Sequence, residues 1–587
     1  MRFKCKICGS ICHEEICKIC ENIINDIDSI DGIKDIEMEK VQVPFCNTCN
    51  MPSWNSKDNK LCSACNRKIE TFYPDIIPVF VEEKILLSVI LKDKIYNKNV
   101  WNMGANRYLV DGERVRVIHP QKDQIRDIYK EYQKLITTLN FEELLSNEHA
   151  MFQEFICNNK ERFKKIEIDA HEYIQKVDRN NAERVSFVSF SGGKDSVVVS
   201  DLVRQALSKH SILHIFGDTT LEMDETLRFI KEFKEKNPLV PFIDAVSERN
   251  FMDLCKIVGP PTRMNDWCCS IFKSGPISQT LNSLFPQEKS GVKYLTYYGI
   301  RAKESLARSK YGRTSDSPKI TSQRVASPIF GWLDYDIWLY LLTRDLPINQ
   351  SYRYGYRRVG CWCCPNNSGW SEFLNEIHLK DKQGEWKKYL YKFAKKIGKE
   401  DYEVYVDDGY WKARHGGIGL YNSNTKIEKT PCIEKNIENI ILKKPYSKEL
   451  DEYLKPFGQL SKSEKNGDIK IIVYEGKSNK KQFNILARED SKIIKLDIIK
   501  DKHKELLRHR IECQFRKYQL CIQCSACDSI CQYGAISTFN NKYKIDEKKC
   551  IHCLDCVAKT FTGGCLINET LKTKEDKDEK NTFRAEI

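Results

Sequence analysis

Two features of this sequence could do chemistry: a glycine turn beside a lysine, and a large stock of paired cysteines. The turn is Ser191-Gly192-Gly193-Lys194-Asp195-Ser196. It follows the apolar, β-prone run 185–190 and precedes a helix-forming run, 197–210. Strand, glycine turn and helix N-terminus make an anion site. The glycines let phosphate approach the backbone, and free N–H groups and the helix dipole favour negative charge. All six residues are expected nucleotide contacts. The spacing is not that of a Walker loop. A second strand-like run, SILHIFGD, ends at Asp218. Strand carboxyl ends meet ligands in open α/β sheets, so Asp218 could hold Mg²⁺ or the nucleotide, with Glu225 helping. Either acid could instead cap the following helix.

The chain has 26 cysteines in 587 residues, most of them in Cys-x-x-Cys pairs. MRFKCKICGS lacks the apolar segment of a signal peptide, and no run is apolar enough to span a membrane. The expectation is a cytoplasmic protein whose thiolates bind metal rather than form disulfides. Cys5, Cys8, Cys17 and Cys20 make one four-cysteine zinc pattern, in which Cys12 or His13 could compete. Cys46, Cys49, Cys62 and Cys65 make a second. One or two Zn²⁺ ions would staple a core-poor region or help it bind RNA or another partner. Cys521, Cys524, Cys527 and Cys531 follow the Cys-x2-Cys-x2-Cys-x3-Cys spacing of iron–sulfur proteins. Cys550, Cys553 and Cys556 repeat its start, with Cys565 after an eight-residue gap. In two-cluster folds the fourth cysteine serves the other cluster. That assigns Cys521, Cys524, Cys527 and Cys565 to one [4Fe–4S] cluster, and Cys550, Cys553, Cys556 and Cys531 to another. The adjacent Cys268 and Cys269 cannot form a zinc knuckle, but with a distant Cys-x-x-Cys they can supply a cluster.

The glycine turn resembles the PP-loop of ATP pyrophosphatases, which cleave ATP between the α and β phosphates. Further segments resemble, in order, those of the phosphoadenosine phosphosulfate (PAPS) reductase family. YGIRAKESLARS (298–309) looks like its G-x-R-x-x-E-S-x-x-R element. SPIFGWLDYDIWLYL (327–341) and LPINQSYRYGYRRVGCWCCP (346–365) are similar to two later segments, so the resemblance covers roughly residues 185–370. It implies that Arg301, Glu304 and Arg308 lie near phosphate or sulfate. It also implies that Cys268, Cys269, Cys361 and Cys364 bind a third [4Fe–4S] cluster beside the nucleotide, with Cys363 a spare or a substitute. Two departures stand out. The family's reductases carry a nucleophilic cysteine in a Glu-Cys-Gly-Leu-His tail, for which Cys513, after Glu512, is the nearest counterpart here. Their PP-loop is usually degraded, whereas SGGKDS is intact, which implies ATP itself. Lys194, Asp195, Arg301 and Cys513 are then the catalytic candidates.

The resemblance implies an oxidoreductase or sulfurtransferase performing nucleotide-dependent sulfur chemistry. One version reduces an adenylyl sulfate. The other adenylates a substrate with ATP and transfers sulfur, as tRNA- and DNA-thiolating relatives do. A non-catalytic, nucleotide- and RNA-binding redox sensor is the alternative from another class. The partners expected are a nucleotide, an electron donor and RNA or DNA, with no membrane. The net charge of +13 suits an anionic partner without requiring one.

These residues need a scaffold. An α/β fold is expected: a Rossmann-like parallel sheet core with N-terminal zinc ribbons and a C-terminal bacterial ferredoxin domain. The boundaries drawn are 1–70 for the zinc ribbons, 71–180 for a β-rich then helical connector, and 181–430 for the PP-loop domain. A small α/β connector follows at 431–510, the ferredoxin domain at 511–570 and a disordered tail at 571–587. Within the first connector, 74–120 reads as short strands and 121–178 as two or three helices.

Overall fold

The computed structural model describes residues 42–54, 61–285, 293–309, 311–317, 320, 322–414, 420, 427–434, 437–476, 480–500, 503–558 and 565–571, with the backbone of Phe3–Cys5, Ile11–Cys12 and Met38–Glu39. The thiols of Cys5, Cys8, Cys17 and Cys20, and the tail after Leu571, lie outside the described residues.

Apolar runs build the central sheet. Its strands are β1 (Val185–Ser189), β2 (Leu213–Asp218), β3 (Phe242–Val246), β4 (Tyr294–Tyr297), β5 (Thr314–Asp316) and β6 (Gln323–Ala326). Their order is β3-β2-β1-β4-β6-β5, all parallel except β5, which runs antiparallel to β6. Phe187, Val188, Ile215, Phe216 and Leu295 are buried, as a sheet covered on both faces requires. Helices α1 (Lys194–Ala206) and α2 (Asp334–Thr343) share one core with Phe190 and Phe216. The chain passes from β1 to β2 on one side and returns as β4 on the other. Strand order therefore reverses between β1 and β4, and the crevice outside their carboxyl ends is the natural ligand position.

Residues 121–178 form three helices, Ile125–Thr138, Phe141–Asn158 and Lys160–Arg179. The all-strand reading of 74–120 is corrected: Val81–Leu91 is a helix, packed beside the strands Val100–Gly104, Arg107–Val110 and Glu113–Arg116. Its residues Val81 to Ser88 are all buried. A segment buried on every side has no helical stripe, so periodicity cannot separate it from a buried strand. Six strands between Glu428 and Ile498 form an antiparallel sheet, followed by α3 (Lys504–Leu520).

Candidate active site and metal centres

The glycine turn is built tightly. Gly192 has a φ of +69°, and a Cβ there would lie 3.1 Å from Ile230 and 3.2 Å from Thr226. Both the conformation and the space call for glycine. Gly193 caps α1 in an extended conformation. Ser196 Oγ donates to the Gly193 carbonyl at 2.8 Å and accepts from Ser191 N–H at 3.1 Å. Asn349 Nδ2 donates to the Gly192 carbonyl at 3.2 Å, and the Tyr352 hydroxyl accepts from Lys194 N–H at 3.0 Å. The chain leaving β4 forms the opposite wall. A Cβ on Gly299 would lie 2.9 Å from the Asp195 backbone.

Four charged side chains close the crevice floor. Lys194 Nζ lies 2.8 Å from Asp195 Oδ2 and 3.3 Å from Asp334 Oδ1. Arg301 Nε lies 2.6 Å from Asp195 Oδ1, and its Nη2 2.7 Å from Asp334 Oδ1. Burial disfavours charge on both carboxylates, but Arg301 and Lys194 outweigh it and hold both below the usual range. The cluster is formally neutral, and both cations are paired with carboxylates. Within it, Arg301 Nη1 is buried without a hydrogen-bond partner. Glu304 accepts from Arg301 N–H at 3.2 Å and pairs with Arg308, folding that motif onto itself.

Asp218 accepts from Thr220 N–H at 2.7 Å, and Glu225 pairs with Arg228 at 3.2 Å. The turn after β2 then meets the late cysteine segment. Glu222 bridges Cys361, Trp362 N–H donates to the Leu221 carbonyl at 3.0 Å, and Thr219 Oγ1 lies 3.3 Å from Cys361 Sγ. Cys268 and Cys269 sit on a helical turn that runs into a π-helix, Ser270–Ser274. The Cys268 thiol is held far up by its hydrogen bond with the Cys269 side chain and by burial, and the nearby Cys361 and Cys364 add to this. The four cysteines drawn from positions 268–269 and 361–364 are therefore neighbours. Burial pushes Cys361 up to about 11 against the opposing charge of Lys273. Cys363 turns away into an apolar cluster with Cys255 and Trp386. Buried thiols crowded together resist ionising alone, and a bound metal group is what such a donor set suits.

The late cysteine runs fold alike. Gln523 and Ser525 have φ of 52° and 61°, and His552 and Leu554, at the same offsets in the second run, have 59° and 61°. These left-handed residues, rare outside glycine, curl each run about its thiols. Burial raises Cys524, and the neighbouring Cys527, Cys565 and Cys521 raise it further. Burial likewise raises Cys550, whose thiolate neighbours are Cys531 and Cys553, and Cys556, which also faces Cys531 and Cys550. Both expected quartets are thus sets of neighbours, including Cys565 beyond its long gap. Lys517 on α3 is 1% exposed and lies beside Cys527 and Cys556.

The first of these runs docks on the central domain. A Cβ on Gly275, at the end of the π-helix after Cys268–Cys269, would lie 2.4 Å from Ser525 Oγ and 3.0 Å from its carbonyl oxygen. Gln279 Nε2 donates to Asp528 at 2.8 Å, and Arg249 Nε to the Gln523 carbonyl at 3.2 Å. Leu520, Cys565 and Ile567 share a core with Trp267 and Ile271, against which Cys268 and Cys361 pack.

Cys513 is a correction. It is 1% exposed on α3, with His509 Nε2 3.7 Å from its sulfur. A nucleophilic thiol needs access, and this one has none.

The Sγ atoms of Cys46, Cys49, Cys62 and Cys65 all lie within 4.8 Å of one another, a set that could hold a metal ion. Burial opposes ionisation of Cys62, but Ser53 and the N–H groups of Cys65 and Ala64 bring it down to about 7. The adjoining Val43, Phe45 and Met51 pack with Leu333 and Tyr335, where α2 begins.

Residues 186–367 match the family model of the phosphoadenosine phosphosulfate reductase domain. That stretch of the chain is similar to the domain. Adenosine 5'-phosphosulfate reductase of Staphylococcus epidermidis is 27% identical over 178 residues, which cover 30% of this chain and 68% of that one. An uncharacterized protein of Methanocaldococcus jannaschii is 32% identical over 244 residues, 40% of this chain and 48% of its own. A second from that organism is 30% identical over 233 residues, 39% of this chain and 54% of its own, so the chain spans about half the length of these two curated relatives. The crystal structure of a PAPS reductase from Candida auris aligns at 14% identity and a TM-score of 0.27, over 42% of this chain and 98% of that one. No helix among the described residues is long and apolar enough to cross a membrane.

Within residues 186–367, sequence reasoning misses Asp334, Asn349 and Tyr352, which hold the glycine turn and its ion cluster. All three lie in segments that resemble the family. It also misses Lys273 and Glu222, which flank Cys361.

Proposed function

We propose that this chain is an iron–sulfur enzyme of nucleotide-dependent sulfur chemistry. The observation that carries the reading is the position of Cys268, Cys269, Cys361 and Cys364. They lie at the turn after β2, and the second cysteine module packs on the helix that Cys268 and Cys269 begin.

On this reading Ser191–Ser196 and the N-terminus of α1 hold the nucleotide phosphates. The dipole and the turn's N–H groups supply the attraction. Lys194 and Arg301 are fixed in place by Asp195 and Asp334. Arg301 Nη1 is the donor that an incoming phosphate or sulfate oxygen would meet. Asp218 would complete the nucleotide site, with Mg²⁺ where ATP is bound. A [4Fe–4S] cluster on Cys268, Cys269, Cys361 and Cys364 would supply one-electron chemistry beside the nucleotide. Lys273 adds positive charge beside Cys361. The two C-terminal quartets would hold the clusters that feed electrons in. Cys46, Cys49, Cys62 and Cys65 would hold zinc as a staple under α2, since tetrahedral thiolate sets suit it.

The fused module supports a reductive step on an adenylyl sulfate. The intact SGGKDS turn supports ATP-dependent adenylation with sulfur transfer. Anaerobically reconstituted protein, supplied with a low-potential donor, should be incubated with adenosine 5'-phosphosulfate, PAPS or ATP. Sulfite with AMP or adenosine 3',5'-bisphosphate means reduction, and pyrophosphate from ATP means adenylation. Release of none of these products would reject both.

A further inference from the structure

A second cavity backs onto the central cysteine quartet, away from the glycine turn. Its volume is about 440 Å³, within the ordinary range for small-molecule sites. The segment Cys361–Cys364 is the partition. Cys361 faces Thr219 and Glu222 at the end of β2, whereas Trp362, Cys363 and Cys364 line the cavity.

Three tryptophans wall it. Trp386 meets Trp362 at 6.4 Å and 88°, and Trp411 at 5.9 Å and 77°, edge to face in both cases. Trp386 and Trp411 are 3% and 4% exposed. Trp386 is also stacked on Tyr389 at 5.2 Å and 22°, so the corner is rigid, and the half-buried Trp362 is its indole most open to a planar guest. Asn375 is held by the Tyr356 hydroxyl and the Trp362 carbonyl, both at 2.9 Å. Gln383 is different. It lines the cavity, is 6% exposed, and its side-chain amide makes no hydrogen bond among the described residues. The amide opens onto the cavity, where a ligand could pair with it, and it can donate and accept at once.

Charge excludes one ligand class. The lining acids are Glu372, Glu376 and Asp407. Lys412 pairs with Glu372 at 2.6 Å, Lys387 with Glu376, and Lys122 with Asp407 at 2.9 Å. Every lysine at the described lining is thus matched by an acid, and none is left over for a phosphate, unlike the helix N-terminus at the glycine turn. Indole edges and an amide in a charge-balanced lining favour a flat, nitrogen-rich, neutral guest.

We propose that this cavity is a second ligand site, for an uncharged planar nitrogen heterocycle of nucleobase type, seated on the tryptophan corner and hydrogen-bonded by Gln383. The base could arrive as a free nucleoside or as part of an RNA strand. The site stands whether or not the glycine turn performs the chemistry proposed for it.

The test is equilibrium binding to the full, anaerobically reconstituted chain with ATP present. The probes are adenosine, guanosine, cytidine and uridine, their 5'-monophosphates, and an unstructured oligoribonucleotide. At least one nucleoside or the oligonucleotide should bind saturably, which also identifies the source. For any nucleoside that binds, its monophosphate should bind more weakly. Gln383→Leu, of similar size, should weaken the binding about fivefold to tenfold, as loss of one to two hydrogen bonds predicts, and Trp411→Leu should weaken it further. Iron content and circular dichroism report whether each variant is folded. The proposal fails if no probe binds, if Gln383→Leu protein binds as well as the parent, or if raising ATP displaces the probe competitively.

Discussion

The hydroxyl of Tyr352 accepts a hydrogen bond from the backbone N–H of Lys194 at 3.0 Å, at the first residue of α1. Helix-terminal N–H groups are what phosphate binds, so this buried phenol occupies a donor the nucleotide would want. Tyr352→Phe keeps the ring and removes the acceptor. The free protein should lose about 1–2 kcal/mol of stability, because a buried donor is left unpaired. ATP should then stabilise the variant more than the parent. Thermal shift with and without ATP measures both, and an equal or smaller ATP shift in the variant would count against phosphate binding at this N–H.

Asp334 ties α2 to the glycine turn. Asp334→Asn leaves Lys194 and Arg301 facing one carboxylate, with an uncompensated buried charge. Breaking such a buried pair costs about 3–5 kcal/mol, which urea unfolding would detect. The acid side follows by linkage. Asp195 and Asp334 have depressed folded values, so their contribution is complete above the unfolded aspartate value of about 3.9 and is lost as pH falls below it. The parent should therefore lose stability steeply below about pH 4, and Asp334→Asn should flatten that slope. An unchanged slope would mean the cluster is not what acid dissolves.

His214 adds a second pH window. It is fully buried on β2, with Nε2 2.8 Å from Ser200 Oγ, and burial brings it down to about 4. The unfolded chain takes up this proton near pH 6.5. Stability from the neutral ring is thus complete above about 6.5 and is lost as pH falls toward 4, by up to ~3 kcal/mol. His214→Phe should lower stability at pH 7, since Ser200 loses its partner, yet remove this part of the decline between pH 7 and 5. Parallel declines in parent and variant would show that His214 does not titrate there.

How much of the molecule can be read in its sequence depends on how far apart the cooperating residues lie. The glycine turn and the cysteine runs are local, and the swap of the fourth cysteine in two-cluster folds groups Cys531 with Cys550 and Cys553. The ion cluster is not local. Arg301 meets Asp195 across 106 positions, and Tyr352 meets Lys194 across 158. Nothing in either segment alone names its partner. Val81–Leu91 reads as strand because burial on all sides erases its period. Cys513 reads as a nucleophile because a Glu-Cys pair carries no information on access.

Gly275 lies in close contact with Ser525, where the central domain meets the cysteine module. A Cβ would lie 2.4 Å from Ser525 Oγ and 3.0 Å from its carbonyl oxygen. The hydroxyl can rotate away, but the backbone must shift. Gly275→Val should therefore push the Cys521–Cys527 loop off the helix that Cys268 and Cys269 begin, without touching any cysteine. If electrons pass through this junction, reduction of the central site by a low-potential donor should slow at least tenfold, followed by rapid freeze-quench spectroscopy. Iron per chain should stay constant. Ser525→Gly on the Gly275→Val background should restore part of the rate, because it removes the hydroxyl and relieves a φ of 61°. An unchanged reduction rate in Gly275→Val, with the contact altered by hydrogen exchange, would place electron entry elsewhere.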